Sequence, residues 1–263
     1  MIDDRTLIEA IGSSLHIYPP VPGLADDLGI PGVRGRVTTL SNPLLNLVGG
    51  ARLDEETADA TILRVTQRFA REHKAYGWVV DPLTTPRDLS LRLETAGLRP
   101  VAHLAGMART DLAIPIAADP AVRVREVTAA EMEREAEMMG RAYGMPAPVA
   151  AMFAKLMGFP PIRSRSYFAY LDGPEPVAWS YLVYLPDSPI VLLGGAGTVP
   201  EARGKGTYTA LVKQRLDDAR ADGRTAAIIQ ADRDTSAPIC AKLGFRELCS
   251  LTVYAWSPDS PRP

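Results

Sequence analysis

In the first half of the chain, short apolar runs typical of strands alternate with segments in which apolar residues have helical spacing. The helical stretch behind Asp54, a plausible N-cap, repeats apolar side chains every three or four residues as far as Phe69. Together these patterns predict a helix–strand–helix–strand ending, which is typical of an α/β fold. The predicted elements are strands at 34–40, 44–48, 77–80 and 98–112, one helix behind Asp54 and a second opened by Thr85-Pro86.

The second half restarts after residues 113–121, an apolar stretch with two prolines and no period. Such a stretch indicates a domain boundary, so we expect domains at 1–118 and 119–263. Thr128 and Glu131 have the spacing of a capping box at the start of a helical pair. The predicted elements are strands at 122–127, 166–171, 176–184, 190–199, 224–230 and 248–256, the helical pair after Thr128, helices at 207–221 and 236–243, and a disordered tail at 257–263.

Composition narrows the function classes. The 263 residues carry a formal net charge of −2, so no basic excess points to nucleic acid. Cys240 and Cys249 are too few for a disulfide framework and are not spaced as a metal motif. The three histidines all lie in the first half, which disfavours a metal site or a histidine triad in the second. No signal pattern or membrane-spanning run is visible, so we expect a cytoplasmic protein without membrane or nucleic-acid partners.

The most informative segment is 198–208, T-V-P-E-A-R-G-K-G-T-Y, between a glycine-rich strand and an amphipathic helix. Such a loop turns successive backbone N–H groups toward one point at a helix N-terminus, where the helix dipole favours a phosphate or pyrophosphate. Gly204 and Gly206 allow the backbone to approach the anion, and Arg203 and Lys205 add positive charge. We therefore predict an anion-binding loop.

Two familiar nucleotide motifs do not fit this segment. With Gly204-Lys205 aligned to a Walker sequence, Val199 stands where glycine is required and Gly206 stands where serine or threonine is required. A dinucleotide fingerprint would need glycine at Thr209. Neither an ATPase loop nor a Rossmann site is indicated.

The same segment resembles the acetyl-CoA pyrophosphate loop of the GCN5-related N-acetyltransferase (GNAT) family, V-x-P-x-x-R-G-x-G before an apolar helix. Val199, Pro200, Arg203, Gly204 and Gly206 match it, and residues 242–245, K-L-G-F, match the ending of the family's next helix. The resemblance covers about 122–256. It implies an α/β (α+β) fold with a mixed, mostly antiparallel central sheet flanked by helices.

The resemblance also implies acetyl-CoA as cosubstrate, with the pantetheine arm paired to strand backbone between two splayed strands, about 197–199 and 228–231. An amine then attacks the thioester directly, so positioning and polarisation do most of the work. The implied cofactor-binding residues are Gly197, Thr198, Val199, Arg203, Gly204, Lys205, Gly206, Thr207 and Tyr208.

Two positions depart from the family pattern. Tyr208 stands where the loop often has Gly or Ala, and could pack on the pyrophosphate or the core. Cys240 stands where many members carry a tyrosine that acts as acid toward the CoA thiolate. The thiol, a nearby hydroxyl of Ser236 or Tyr254, or water could supply the proton, although a small buried thiol is the alternative for Cys240. No base is visible on the central strand, and Asp232 and Asp234, although near the expected site, are better explained as solvated loop charges.

The first half resembles a degenerate copy of the same fold, as in tandem acetyltransferases, because its strand–helix–strand ending mirrors that of the second half while 47–53 lack the R-G-x-G sequence. The alternative is an unrelated α/β domain. Six of eight methionines follow Thr128, where they either line an acceptor site or fill the core.

The leading hypothesis is therefore transfer of an acetyl group from acetyl-CoA to an amine of a small molecule, by a monomer or homodimer without a metal. A longer acyl-CoA, a non-catalytic acyl-CoA sensor or scaffold, and a pure interaction module are the alternatives. The acceptor is not encoded in any motif.

Overall fold

The computed structural model describes residues 2–157 and 162–259. Contacts divide the chain into two compact units built from separated segments. We call Met107–Ile229 with Pro238–Glu247 the C-terminal unit, which also includes the first three residues, and Asp4–Gly106 with Gln230–Ala237 and the chain from Leu248 on the N-terminal unit. This division differs from the continuous domains expected at 1–118 and 119–263, which stay a prediction.

The first half of the chain supplies most of the N-terminal unit. Helix α1 was not predicted from the sequence. The second helix of this half was expected from Thr85-Pro86, yet α3 begins three residues after Pro86. The elements are α1 (Asp4–Ser13), β1 (Ala25–Asp27), β2 (Arg34–Thr38), β3 (Leu47–Gly49), α2 (Glu55–Arg71), β4 (Tyr76–Val80), α3 (Leu89–Thr95) and β5 (Arg99–Arg109).

The second half follows the predicted order closely. Thr128 and Glu131 form the predicted capping box. Gly144, whose backbone is in the left-handed region, ends the helix Ala136–Tyr143. The elements are β6 (Arg123–Val127), α4 (Ala129–Arg134), α5 (Ala136–Tyr143), α6 (Ala147–Met157), β7 (Ser164–Tyr170), β8 (Ala178–Tyr184), β9 (Ile190–Thr198), α7 (Thr207–Ala221), β10 (Ala226–Asp232), α8 (Ala237–Lys242) and β11 (Arg246–Trp256).

The strand order is β1-β2-β3-β4-β11-β5 in the N-terminal unit and β10-β9-β8-β7-β6 in the C-terminal unit. The described ladders are antiparallel except for β3 with β4 and β9 with β10, which are parallel. A helix connects each parallel pair, α2 in one unit and α7 in the other. The predicted fold class, a mostly antiparallel mixed sheet with helices in two copies, is confirmed.

Strand β11 completes the N-terminal unit although it follows the C-terminal unit in sequence. It pairs antiparallel with β4 from Thr252↔Val80 to Trp256↔Tyr76. Tyr254 belongs to the same buried core as Trp78, and the Trp256 ring lies 5.7 Å from that of Tyr76. Alternation of apolar residues predicts such a strand but not its partner strand. For this reason the sequence analysis assigned the strand at 248–256 to the second expected domain.

Among the described residues, no helix combines the length and apolar character needed to cross a membrane. Of the predicted tail at 257–263, residues 260–263 lie outside the described residues.

Candidate functional site

The central feature of the C-terminal unit is β9, whose two edges are paired unequally. Its edge toward β8 is registered along the strand, from Val191↔Tyr184 to Thr198↔Ala178. Its parallel register with β10 covers only Ile190–Leu192, opposite Ala226–Ile228. Within the described residues, 193–198 therefore have no registered β10 partner. Backbone groups on that edge are available to an extended ligand, as in strand addition.

A β-bulge interrupts β9 beside this edge. Ser180 pairs with Ala196 and Tyr181 with Gly194, so Gly195 is an extra residue. Side chains are excluded here: a Cβ on Gly195 would lie 2.7 Å from the Tyr181 ring, and one on Gly197 would lie 3.1 Å from the backbone of Ala142. The glycine run of β9 thus makes room for the rings of Tyr181 and Trp179 and for the backbone of Ala142.

A buried arginine of α7 is hydrogen-bonded to backbone carbonyl groups on both strands at the bulge. Arg215 is fully buried, and its Nη1 donates to the carbonyl oxygens of Gly194 at 3.1 Å and Tyr181 at 3.3 Å. Its Nε donates to the Leu211 carbonyl at 3.0 Å, while Nη2 has no hydrogen-bond partner among the described residues. Burial lowers the pKa of this guanidinium. The sequence analysis missed Arg215, although a charged residue on the apolar stripe of α7 was a visible signal.

The predicted anion loop connects β9 to α7. Pro200–Ala202 form one 3₁₀ turn, Arg203 is extended, and Gly204 and Gly206 have φ of +74° and +76°. A Cβ on Gly204 would meet nothing within 4 Å, so glycine is needed for its conformation and not for space. The first amides of α7, from Thr207 on, have no partner within the helix.

Two contacts join the ends of this loop. Arg203 Nε donates to the Thr198 carbonyl oxygen at 3.2 Å, and the hydroxyls of Thr198 and Thr207 lie 3.1 Å apart. Arg203 and Lys205 are exposed. A two-glycine loop that ends at a helix N-terminus is a common form of phosphate- or pyrophosphate-binding site, and the predicted anion-binding role of this loop stays a prediction.

An acidic residue in the same loop is already paired. The Glu201 carboxylate accepts a hydrogen bond from Arg141 at 2.6 Å, and a backbone hydrogen bond together with Arg141 lowers its pKa. Glu201 therefore opposes an incoming anion less than its position suggests, and the exposed Arg203 and Lys205 add positive charge to the loop.

The structure brings together two residues that the sequence analysis considered separately. The Tyr208 hydroxyl, from the first turn of α7, lies 3.3 Å from the Cys240 Sγ on α8. Cys240 is fully buried, and burial raises the pKa of its thiol. Tyr208 is half-buried. A phenol thus reaches the thiol that stands in the position of the family's tyrosine.

The other predicted acids belong to the N-terminal unit. Ser236 lies in the turn before α8. Tyr254 is buried in the core of that unit, and its hydroxyl donates to Glu94 Oε1 at 3.2 Å. Asp232 caps its own turn by accepting hydrogen bonds from the backbone N–H and hydroxyl of Thr235. The catalytic roles expected for Ser236 and Tyr254 stay predictions.

Aromatic rings surround the bulge on the β8 side. The Phe153 ring lies 5.7 Å from Trp179 and 5.5 Å from Tyr181, and Tyr143 lies 5.7 Å from Trp179. Of the six methionines after Thr128, five are buried, which favours core packing over a ligand surface. In residues 2–157 and 162–259, no group of three His, Cys, Asp or Glu side chains could hold a metal.

Comparison with solved structures identifies the fold. A GCN5-related N-acetyltransferase from Kribbella flavida superposes with a TM-score of 0.69 at 19% identity, covering 98% of this chain and 96% of that one. One from Sphaerobacter thermophilus gives 0.62 at 16% identity, covering 88% and 81%. No protein-family model and no curated protein matches the sequence. The fold is that of the GCN5-related N-acetyltransferases.

The arrangement of two such copies in one chain also has a solved counterpart. A tandem GNAT protein from the clavulanic acid biosynthesis pathway superposes with a TM-score of 0.61 at 12% identity, covering 99% of this chain and 97% of that one. The chain thus resembles a tandem acetyltransferase over nearly its whole length.

Proposed function

We propose that this chain is an N-acetyltransferase that moves an acetyl group from acetyl-CoA to an amine of a small molecule. One observation carries the proposal: an edge of β9 without a registered β10 partner leads directly into a two-glycine loop that ends at the N-terminus of α7. The strand edge suits the amides of a pantetheine arm, and the loop suits its pyrophosphate.

The residues present fit this cosubstrate. Backbone groups of Gly197 and Thr198 would pair with the pantetheine arm, while the loop from Arg203 to Tyr208 would hold the pyrophosphate. Val199, also expected to pair, has its N–H bonded to the Val177 carbonyl and its carbonyl bonded to the Ala202 N–H. Acetyl-CoA itself supplies an activated thioester, so the chain needs no nucleophile of its own. Its contribution is to orient the acyl group and to place backbone N–H donors at the bulge.

The N-terminal unit, in our proposal, binds no CoA. Its loop between β3 and α2 lacks the R-G-x-G sequence, and Asp54, Glu55 and Glu56 occupy the N-terminal end of α2. Three carboxylates at a helix N-terminus already interact with the helix dipole and repel a pyrophosphate. This unit is a scaffold copy.

The cofactor assignment is tested by thermal unfolding with and without acetyl-CoA, using two matched variants. Gly206→Asp adds a carboxylate inside the loop at φ +76°, and Gly223→Asp adds one at φ +73° beyond the other end of α7. A ligand at 100 times its Kd stabilises the folded state by about 2.7 kcal/mol. We expect this stabilisation in wild type and Gly223→Asp and its loss in Gly206→Asp.

Release of CoA thiol with a panel of amines tests turnover. Binding of acetyl-CoA without release by any amine would instead favour the non-catalytic sensor, which the cysteine at position 240 motivates. If acetyl-CoA stabilised Gly206→Asp and Gly223→Asp equally, the assignment of the pyrophosphate to this loop would be wrong.

A further inference from the structure

A cleft of about 510 Å³ lies in the C-terminal unit, between the linker segment (residues 110–122, which join β5 to β6) and the end of α8. We call it the linker cleft. Part of its lining is apolar and includes Pro115 and Ile114, which is 59% exposed. Another part carries the exposed cations Lys242 and Arg246. The cleft thus combines an apolar surface with positive charge.

A buried arginine adds to the positive charge of the linker cleft. Arg109 is 5% exposed and belongs to the lining. Its guanidinium donates to the carbonyl oxygens of Asp111 at 2.9 Å, Leu243 at 2.7 Å and Ile114. These acceptors are neutral, so they hold the cation in place without neutralising its charge. Among the described lining residues, three side chains are basic and one, Asp111, is acidic, which leaves the cleft suited to an anion.

Two contacts place the linker cleft beside the anion loop. On the linker side, a Cβ on Gly206 would lie 3.6 Å from the Cβ of Asp119. On the α8 side, the Tyr208 hydroxyl oxygen lies 3.3 Å from the Cys240 sulfur. The lining ends two positions before Asp119 and resumes two positions after Cys240, no more than about 8 Å along the chain from either contact. A ligand held in the anion loop can therefore extend into the cleft.

The cosubstrate of the proposed reaction has a second anionic part besides its pyrophosphate. Beyond the pyrophosphate, CoA ends in an adenosine whose ribose carries a 3′-phosphate. This end combines a flat base with a dianion, and it suits a cleft that offers apolar side chains beside lysine and arginine. Residues 197–208, which the sequence analysis assigned to the cosubstrate, account only for the pantetheine arm and the pyrophosphate.

We propose that the linker cleft holds the adenosine 3′-phosphate end of the cosubstrate, with Lys242 and Arg246 as ligands of the 3′-phosphate. This inference rests on the proposed use of acetyl-CoA. Ile114 packs against the adenine, and Arg109 keeps the cleft in shape by joining the linker segment to the end of α8. The linker segment, which the sequence indicated only as a domain boundary, becomes part of the cosubstrate site.

The test compares binding of CoA and of dephospho-CoA, which lacks only the 3′-phosphate, by calorimetry. We expect wild type to bind CoA roughly tenfold more tightly, the effect of one charge-assisted hydrogen bond. The double variant Lys242→Ala/Arg246→Ala should bind both equally and keep nearly the wild-type affinity for dephospho-CoA, because its anion loop is unchanged. The matched control Arg134→Ala/Lys155→Ala removes the same charge from exposed positions on α4 and α6, and should keep the tenfold preference.

Competition experiments with wild type give a second readout that needs no variant. Adenosine 3′,5′-bisphosphate carries the nucleotide end of CoA without the pantetheine arm. We expect it to displace CoA, and adenosine 5′-phosphate to do so roughly tenfold less well, because it lacks the 3′-phosphate. If the bisphosphate bound together with CoA, the cleft would take a separate nucleotide and the inference would be overturned.

The remaining outcomes separate this inference from the proposed function. If wild type binds CoA and dephospho-CoA equally, the cleft does not hold the 3′-phosphate, while the acetyltransferase assignment stands. If wild type binds no CoA ester at all, both are wrong. An unchanged preference for CoA in Lys242→Ala/Arg246→Ala would show that these two side chains are not the ligands.

Discussion

The bulge in β9 depends on the absence of a side chain at Gly194, and Gly194→Ala tests this directly. A Cβ at this position would lie 2.6 Å from the Tyr181 hydroxyl oxygen and closer still to two ring carbons. The ring cannot move freely, because Phe153 lies 5.5 Å and Trp179 6.4 Å away. Either the aromatic cluster or the bulge must shift.

Overpacking of this kind costs about 1–3 kcal/mol. For a unit of this size, a loss of about 2 kcal/mol lowers Tm by roughly 4–8 °C. Gly173→Ala is the matched control, because a Cβ there meets nothing within 4 Å and the residue lies in an exposed turn. Differential scanning calorimetry of both variants gives the comparison, and acetyl-CoA titration shows whether the bulge still binds.

Gly194→Ala is expected to lose both stability and acetyl-CoA binding, since the added methyl group displaces the backbone that would pair with the pantetheine arm. A Tm within 1 °C of Gly173→Ala would refute the reasoning, because it would mean that the ring of Tyr181 yields without cost. Loss of stability with unchanged affinity would separate the bulge from the binding edge.

Two further predictions concern the N-terminal unit. Burial, with Arg36 and Arg34 nearby, lowers the pKa of His16 from 6.5 to about 4, so the folded state resists protonation of this side chain. The free energy of unfolding should therefore fall as the pH drops from 6.5 to 4. Urea titrations over this window should show a weaker dependence of the free energy of unfolding on pH for His16→Gln than for wild type. Tyr254→Ala should cost ~3 kcal/mol because the side chain is 4% exposed in the core beside Trp78. Hydrogen exchange should then speed up in β4 but not in β8, and equal acceleration in both strands would contradict the assignment of β11 to this unit.

Local signals in the sequence explain why the loop and its flanking elements were predictable. Gly204 and Gly206 are needed for a left-handed backbone, and the helix predicted at 207–221 is found as α7 (Thr207–Ala221). Thr128 and Glu131 form their capping box within one turn. Each of these features is decided by residues a few positions apart, so pattern and spacing suffice.

Features decided by distant residues were not predictable in the same way. The pairing of β11 with β4 joins Trp256 to Tyr76 across most of the chain, and alternation of apolar residues carries no information on that choice. Likewise, Tyr208 and Cys240 are 32 positions apart, so only the packing of α7 against α8 shows that their side chains meet. Arg215 is an intermediate case, because its place among apolar neighbours was visible but its carbonyl partners were not.

The placement of β11 has a consequence for biosynthesis. The N-terminal unit takes most of its elements from the first half of the described chain, yet its strand beside β4 is translated after every other element described here. A nascent chain that has emerged only as far as β5 therefore presents the β4 edge without its neighbour, an exposed template for wrong pairing. The N-terminal unit can therefore complete its sheet only after β11 has left the ribosome, by which point every described element of the C-terminal unit has also been translated.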